Sequence, residues 1–161
     1  MKTYNFSVSI PEFKNGTSII DSFINEAKDE QRQLAITHAI NKETSKVHKE
    51  ILLNFTDKIN EELYNLGIKF QGIEEYDAYH NVNSFKTSCK INGVFYTIYL
   101  EPMRNKLFKD SKYPTYTGQF SMEIRRYVES WTQKVHNVED VLKYMKPDII
   151  KLIKVNPHIM A

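Results

Sequence analysis

The sequence predicts an α+β fold: an antiparallel sheet of four to five strands, a helical hairpin on one face and a C-terminal helix, in one domain over residues 1–161. Three observations carry this. Two β-prone runs, Phe85–Ile91 and Val94–Leu100, flank the dipeptide Asn92-Gly93. The stretch from Thr17 to Leu66 contains neither Gly nor Pro. Shorter alternating segments stand on either side of these two blocks. Asn followed by Gly tolerates positive φ at both central positions of a type I′ turn, which makes it the firmest short-range hairpin signal.

A turn at Asn92-Gly93 sets the register, with Ile91 facing Val94, Cys89 facing Tyr96, Thr87 facing Ile98 and Phe85 facing Leu100. One face of the hairpin then holds Phe85, Thr87, Cys89, Ile91, Val94, Tyr96, Ile98 and Leu100, a core pattern. The other holds Lys86, Ser88 and Lys90 beside Tyr99, Thr97 and Phe95. A slip of one residue exchanges the two faces, so the pattern specifies the register strongly.

From the N-terminus, Tyr4, Phe6, Val8 and Ile10 alternate with polar residues and predict a strand over 3–10, ended by Pro11. Thr17 or Ser18 is a suitable helix N-cap, with Asp21 in the first turn. Ile20, Phe23, Ile24, Ala27, Gln31, Leu34, Ala35 and His38 trace one helical stripe. Val47, Ile51, Phe55, Ile59, Leu63 and Leu66 trace a stronger one. A single helix over both would be about 75 Å long at 1.5 Å per residue, so a break is expected in the polar segment Asn41–Ser45. The result is a helical hairpin, stopped by Gly67 as a left-handed C′ residue.

Residues 68–73 read as a short strand with a bulge at Gly72, and Glu74–His80 as an acidic connection into the hairpin strands 84–91 and 94–101. Residues 101–116 form a long loop, and Phe120, Met122 and Ile124 alternate in a strand over 117–126. A helical period through Ile124, Tyr127, Val128, Trp131 and Val135 competes with the end of that strand. Asn137 caps the C-terminal helix, with Glu139 and Asp140 in its first turn. Pro147 is expected to break that helix or start another.

Composition narrows the function. A chain of 161 residues is long enough to bury about 70% of its unfolded surface without disulfides or metals. A single cysteine, Cys89, forms no internal disulfide and no thiolate cluster, which fits a reducing cytoplasm. On the core face Cys89 reads as a small buried hydrophobe, not a nucleophile. There is no signal-like apolar region at the N-terminus and no run near ~18 apolar residues, so neither secretion nor membrane insertion is expected. The net charge of +2 hides an asymmetry: residues 1–80 hold 9 Lys+Arg against 13 Asp+Glu, and residues 81–161 hold 13 against 7. That split fits a basic binding surface in the second half, and equally an acidic helical layer facing a basic sheet.

No catalytic or cofactor signature is present: no glycine-rich phosphate loop, no G-x-S-x-G, no H-E-x-x-H. Neither a cofactor nor an enzymatic activity is expected. Glu74, Glu75, Asp77 and His80 are the nearest thing to a metal cluster, but a solvated acidic loop accounts for them better, and no metal is expected. His38 and His48 lie too far apart for a same-face helical pair and read as residues bordering the helix packing.

The outer hairpin face is more informative. Lys86 opposite Tyr99 and Lys90 opposite Phe95 interleave cations with rings, and Arg125 joins them if Phe120 points inward. Sheet-based single-strand binders stack bases and neutralise phosphates this way, although no RNP-like motif accompanies the pattern. The loop adds Arg104, Lys106, Lys109 and Lys112 around Leu107-Phe108, an apolar pair framed by cations that fits a binding wedge and equally a loop folded back with Phe108 in the core. The candidate partner-binding residues are therefore Lys86, Lys90, Phe95, Tyr99, Arg104, Lys106, Phe108, Lys109, Arg125 and Arg126.

In size, single-domain build, Lys/Asn/Ile/Tyr-rich composition and lack of catalytic signatures, the chain resembles small phage or mobile-element proteins of AT-rich bacteria. Anti-CRISPR inhibitors, which act by binding a nuclease, are among them. The likeness is compositional and carries no residue across. It implies a non-enzymatic protein of a bacterial cytoplasm that binds a protein partner, such as a nuclease or another nucleic-acid enzyme. The alternative is a nucleic-acid-binding accessory protein that uses the basic aromatic sheet face.

Overall fold

A computed structural model describes residues 18–79, 82–103 and 118–160. The strand expected over 3–10 lies outside the described residues, as do His80 and the loop residues Arg104, Lys106, Phe108 and Lys109. Helix α1 (Ser18–Leu63) leads through a 3-10 turn (Tyr64–Leu66) into β1 (Gln71–Tyr79), followed by β2 (Val82–Ile91) and β3 (Val94–Pro102). β4 (Phe120–Arg126), β5 (Gln133–Lys134) and helix α2 (Val138–Val155) complete the order, with a last 3-10 turn at Pro157–Met160. The described strands form one antiparallel sheet in the order β1-β2-β3-β4-β5.

The central hairpin has the expected register throughout, from Phe85 opposite Leu100 to Ile91 opposite Val94. Its turn takes φ of 51° at Asn92 and 82° at Gly93, the positive values that a type I′ turn requires. Phe85, Cys89, Ile91, Tyr96, Ile98 and Leu100 are buried, with Ile124 of β4 beside them. Leu52, Ile59 and Leu63 of α1 and Val141 and Met145 of α2 belong to the same core cluster. Both helices therefore pack on one face of the sheet.

The helical hairpin is corrected to one continuous helix of 46 residues. The segment expected to break it, Asn41–Ser45, is anchored instead. Asn41 and Ser45 are buried, the Ser45 hydroxyl accepts the Asn83 N–H at 3.1 Å, and Thr44 Oγ1 donates to the Ile40 carbonyl at 3.0 Å. Polar residues here serve a helix–sheet contact and not a loop. The buried line of α1 runs Thr37, Asn41, Ser45, His48, Leu52, Thr56, Ile59 and Leu63. It is rotated from the expected stripe, so Val47 is exposed and Phe55 half-buried. Apolarity alone could not trace a line whose first half is polar. At about 1.5 Å per residue the helix is about 69 Å long, against about 33 Å for a ten-residue strand. It outreaches the sheet, and the turns before Thr37 carry exposed Ile19, Phe23 and Ile36.

His48 is the most constrained member of that line. Its Nε2–H donates to the Gly118 carbonyl at 3.0 Å, its ring meets Phe120 edge-on at 5.3 Å, and buried Nδ1 has no hydrogen-bond partner. Burial lowers its pKa, and the Gly118 hydrogen bond opposes that only in part.

Gly67 ends the helical segment as expected, at φ 71° with its N–H on the Tyr64 carbonyl. The strand expected over 68–73 begins later, at Gln71, and runs through the supposed acidic connection to Tyr79. Ile68 and Phe70 are buried ahead of it. The Asn60 amide clasps the Phe70 backbone, accepting its N–H at 2.8 Å and donating to its carbonyl at 3.1 Å. That side chain stands in for a strand partner and delays the ladder.

Asn137 caps α2 as expected, accepting the Asp140 N–H at 2.8 Å, while the Asp140 carboxylate accepts the His136 N–H at 2.9 Å. Pro147 does not end this helix but lies inside it. The interior proline removes one helical hydrogen bond, a cost of about 3 kcal/mol in an isolated helix. Buried Met145 and Asp148 on either side hold the two halves to the sheet.

Candidate interaction face

With both helices on one side, the side chains of the opposite face of the sheet form the candidate site. Lys86, Ser88 and Lys90 of β2 stand opposite Tyr99, Thr97 and Phe95 of β3. Thr97 and Tyr99 in turn stand opposite Arg125 and Glu123 of β4. Lys134 of β5 faces Glu123, and Glu74 of β1 faces Lys86. The condition for Arg125 is met: Ile124, its neighbour, is fully buried on the core side, which turns Arg125 outward.

Rings and charges are interleaved across this surface. The Lys90 ammonium lies 5.3 Å from the Phe95 ring centre. Lys86 stands opposite Tyr99 as expected, and its ammonium lies 5.5 Å from the ring centre of Tyr76 on β1. Tyr76 meets Tyr99 edge-to-face at 5.8 Å, and its hydroxyl donates to the Glu101 carboxylate. Burial, followed by that carboxylate, pushes the Tyr76 phenol above its ordinary range. Ser88 and Thr97 share a hydroxyl hydrogen bond of 2.8 Å, and Thr132 Oγ1 donates to Glu123 at 3.0 Å. Toward the far end of β1 and β2 the face closes, since Val82 and Ser84 are buried.

The end of the face near the hairpin turn is apolar. Phe95 is 46% exposed, and its carbonyl accepts the Tyr127 N–H at 2.8 Å. Tyr127, Val128 and Trp131, in the turn between β4 and β5, are 68%, 65% and 62% exposed. The turn is held from behind by Tyr144 of α2, whose hydroxyl accepts the Arg126 N–H at 3.2 Å and donates to Glu129 at 2.6 Å.

Arg126 is corrected: it is not on the outer face. It stands opposite Tyr96 on the core side of the sheet, and its Nε–H donates to Asp148 of α2 at 2.9 Å. The Tyr96 hydroxyl donates to the same carboxylate oxygen. Two adjacent arginines on a strand must point to opposite faces, and a buried carboxylate from α2 receives the inward one. Glu74 and Glu75 separate for the same reason, the first opposite Lys86 and the second opposite Phe85.

Lys86, Lys90, Phe95, Tyr99 and Arg125 are thus brought together as expected. Tyr76 and the Tyr127–Trp131 turn were not singled out from sequence. Carboxylates on both sides of Tyr76 disguised it as loop, and a helical period masked the exposed turn. Comparison of the chain with family models, with curated proteins and with solved structures yields no match. Among the described residues no helix is long and apolar enough to cross a membrane.

Proposed function

We propose that this chain is a non-enzymatic binding protein that seats another protein on the outer face of its sheet. The observation that carries the reading is the mixed face itself, on which neither described helix packs. Lys86, Lys90, Arg125 and Lys134 alternate there with Glu74, Glu101 and Glu123 around Tyr76, Phe95 and Tyr99. Three carboxylates among four cations leave the face nearly neutral, a weak attraction for a phosphate backbone but a complement to a folded protein of mixed charge. Exposed Phe95, Tyr127 and Trp131 are residue types enriched among interface anchors. Holding their turn on Tyr144 and Arg126 reduces the ordering cost on association. The compositional likeness to phage inhibitor proteins makes a bacterial nuclease or other nucleic-acid enzyme the partner class to test.

A second reading, single-stranded nucleic acid, is favoured by one observation: the Lys90–Phe95 stack beside Arg125, an arrangement suited to a stacked base with its phosphate. Affinity capture from a bacterial lysate, with and without nuclease treatment, separates the two. A protein retained after treatment supports the first reading. Loss of all captured material on treatment supports the second.

A further inference from the structure

The tip of the central hairpin carries a labile group that the outer face does not use. Among the described residues, Asn92 is the only asparagine followed by glycine. Asn92 and Gly93 are both exposed to water, and both take positive φ, 51° and 82°. No atom lies within 4 Å of the point where a Cβ would stand on Gly93. Asparagine amides are among the chemically labile groups of a protein. Here the Asn92 Cγ can close a five-membered ring with the backbone nitrogen of Gly93, and glycine puts no side chain in the way. Every other described asparagine is followed by a residue with a side chain. Those inside α1 also have the following N–H within the helix, where hydrogen bonding holds it.

The same amide has a structural task. Its Nδ2–H donates to the Asp148 carbonyl at 3.2 Å, at the long end of the usual range. The bond ties the turn to α2 at the residue whose carboxylate receives Arg126 and Tyr96. A carboxylate at position 92 has no proton to give that carbonyl, so the tie is replaced by two acceptors facing each other.

We propose that Asn92 is a modification site, at which the side-chain amide is lost as ammonia and the hairpin turn is released from α2. A base takes the Gly93 amide proton, and the nitrogen attacks Asn92 Cγ. The new N–Cγ bond closes a succinimide as the Cγ–Nδ2 bond breaks, and Nδ2 leaves as ammonia with a proton returned to it. Water then opens the ring. Addition at Cγ breaks the new bond and leaves aspartate. Addition at the main-chain carbonyl carbon breaks the original peptide bond and leaves isoaspartate. One water is consumed and one ammonia released, with no oxidant or reductant. Isoaspartate also adds a methylene to the main chain of a two-residue turn, whose twist matches the strands only at its ordinary length. The site does not depend on the role of the outer face.

The test uses the full chain carrying Asn15→Gln, because Asn15-Gly16 is the other Asn-Gly pair of the sequence and lies outside the described residues. The folded protein is incubated in mildly alkaline buffer beside the same protein in guanidinium chloride. Peptide mapping by mass spectrometry locates the conversion, and enzymatic methylation marks isoaspartate. Asn92 is expected to convert in the folded protein. The converted fraction, separated by ion exchange, is expected to melt at least about 2 °C lower, the shift that one lost hydrogen bond gives a chain of this size. Asn92→Asp keeps a residue suited to the turn but lacks the donor, and is expected to show a drop of at least about 2 °C as well. The proposal is overturned if Asn92 stays intact in the folded protein while it converts in guanidinium chloride. It is equally overturned if the converted fraction or Asn92→Asp melts at the midpoint of the unconverted chain.

Discussion

Asp148 accepts the Arg126 Nε–H at 2.9 Å across the junction of α2 and the sheet, with side chains only 11% and 28% exposed. The Tyr96 hydroxyl donates to the same carboxylate, and the Asn92 amide donates to the Asp148 carbonyl at 3.2 Å. One residue therefore ties the hairpin turn, β3 and β4 to α2. Burial alone would raise the Asp148 pKa, but the Arg126 and Tyr96 hydrogen bonds outweigh it and hold the carboxyl below its ordinary range.

Asp148→Ala strands a guanidinium and a buried phenol, and we expect it to cost about 2–3 kcal/mol, read as a lower urea midpoint. A lowered folded-state pKa means the carboxylate's contribution is complete above the unfolded value and is lost as pH falls through the folded one. The gap between native protein and Asp148→Ala is expected to close only in strong acid. A constant gap across that range would show that the carboxylate's charge contributes nothing.

His48 acts at milder pH. The folded state lowers its pKa, so the unfolded chain binds the proton more readily, and stability falls as pH drops below about 6.5. His48→Leu is expected to flatten the unfolding midpoint between about pH 7 and pH 5. An identical slope in the variant would assign that titration to another group.

The buried line of α1 is tested by a pair of substitutions. Leu52 is fully buried and Val47 is 39% exposed, although the apolar period places Val47 inside. We expect Leu52→Ala to cost about 2–5 kcal/mol and Val47→Ala less than about 0.5 kcal/mol, measured by denaturant unfolding. The reverse order would restore the stripe expected from sequence.

Local chemistry made the central hairpin legible down to its register, because Asn92-Gly93 and two alternating runs agree on one answer. It also placed Gly67, Asn137 and the outward Lys86, Lys90, Phe95 and Arg125. What escaped was set by tertiary partners. Asn83 makes a helix contact of Ser45, where composition alone reads a loop. Asp148 draws Arg126 inward, which no property of β4 announces. Pairing with β2 holds Glu74, Asp77 and their neighbours as a strand despite poor intrinsic preference.

Cys89 is 4% exposed, and burial pushes its thiol up to about 12. At neutral pH almost no thiolate forms, so reaction with a thiol reagent is expected to be far slower in the native protein than in denaturant. Equal rates would mean that the inward face of β2 opens on the labelling timescale.

The central claim is that the outer face of the sheet holds a protein partner. Its most direct test is parallel capture from nuclease-treated bacterial lysate by the native protein, a Lys90→Glu/Phe95→Ala variant, and a Lys146→Glu control on the exposed side of α2, quantified protein by protein. We expect a specific protein to be retained by the native chain and the control, and to fall at least about tenfold with the face variant. Retention of that protein at equal levels by all three would contradict the account.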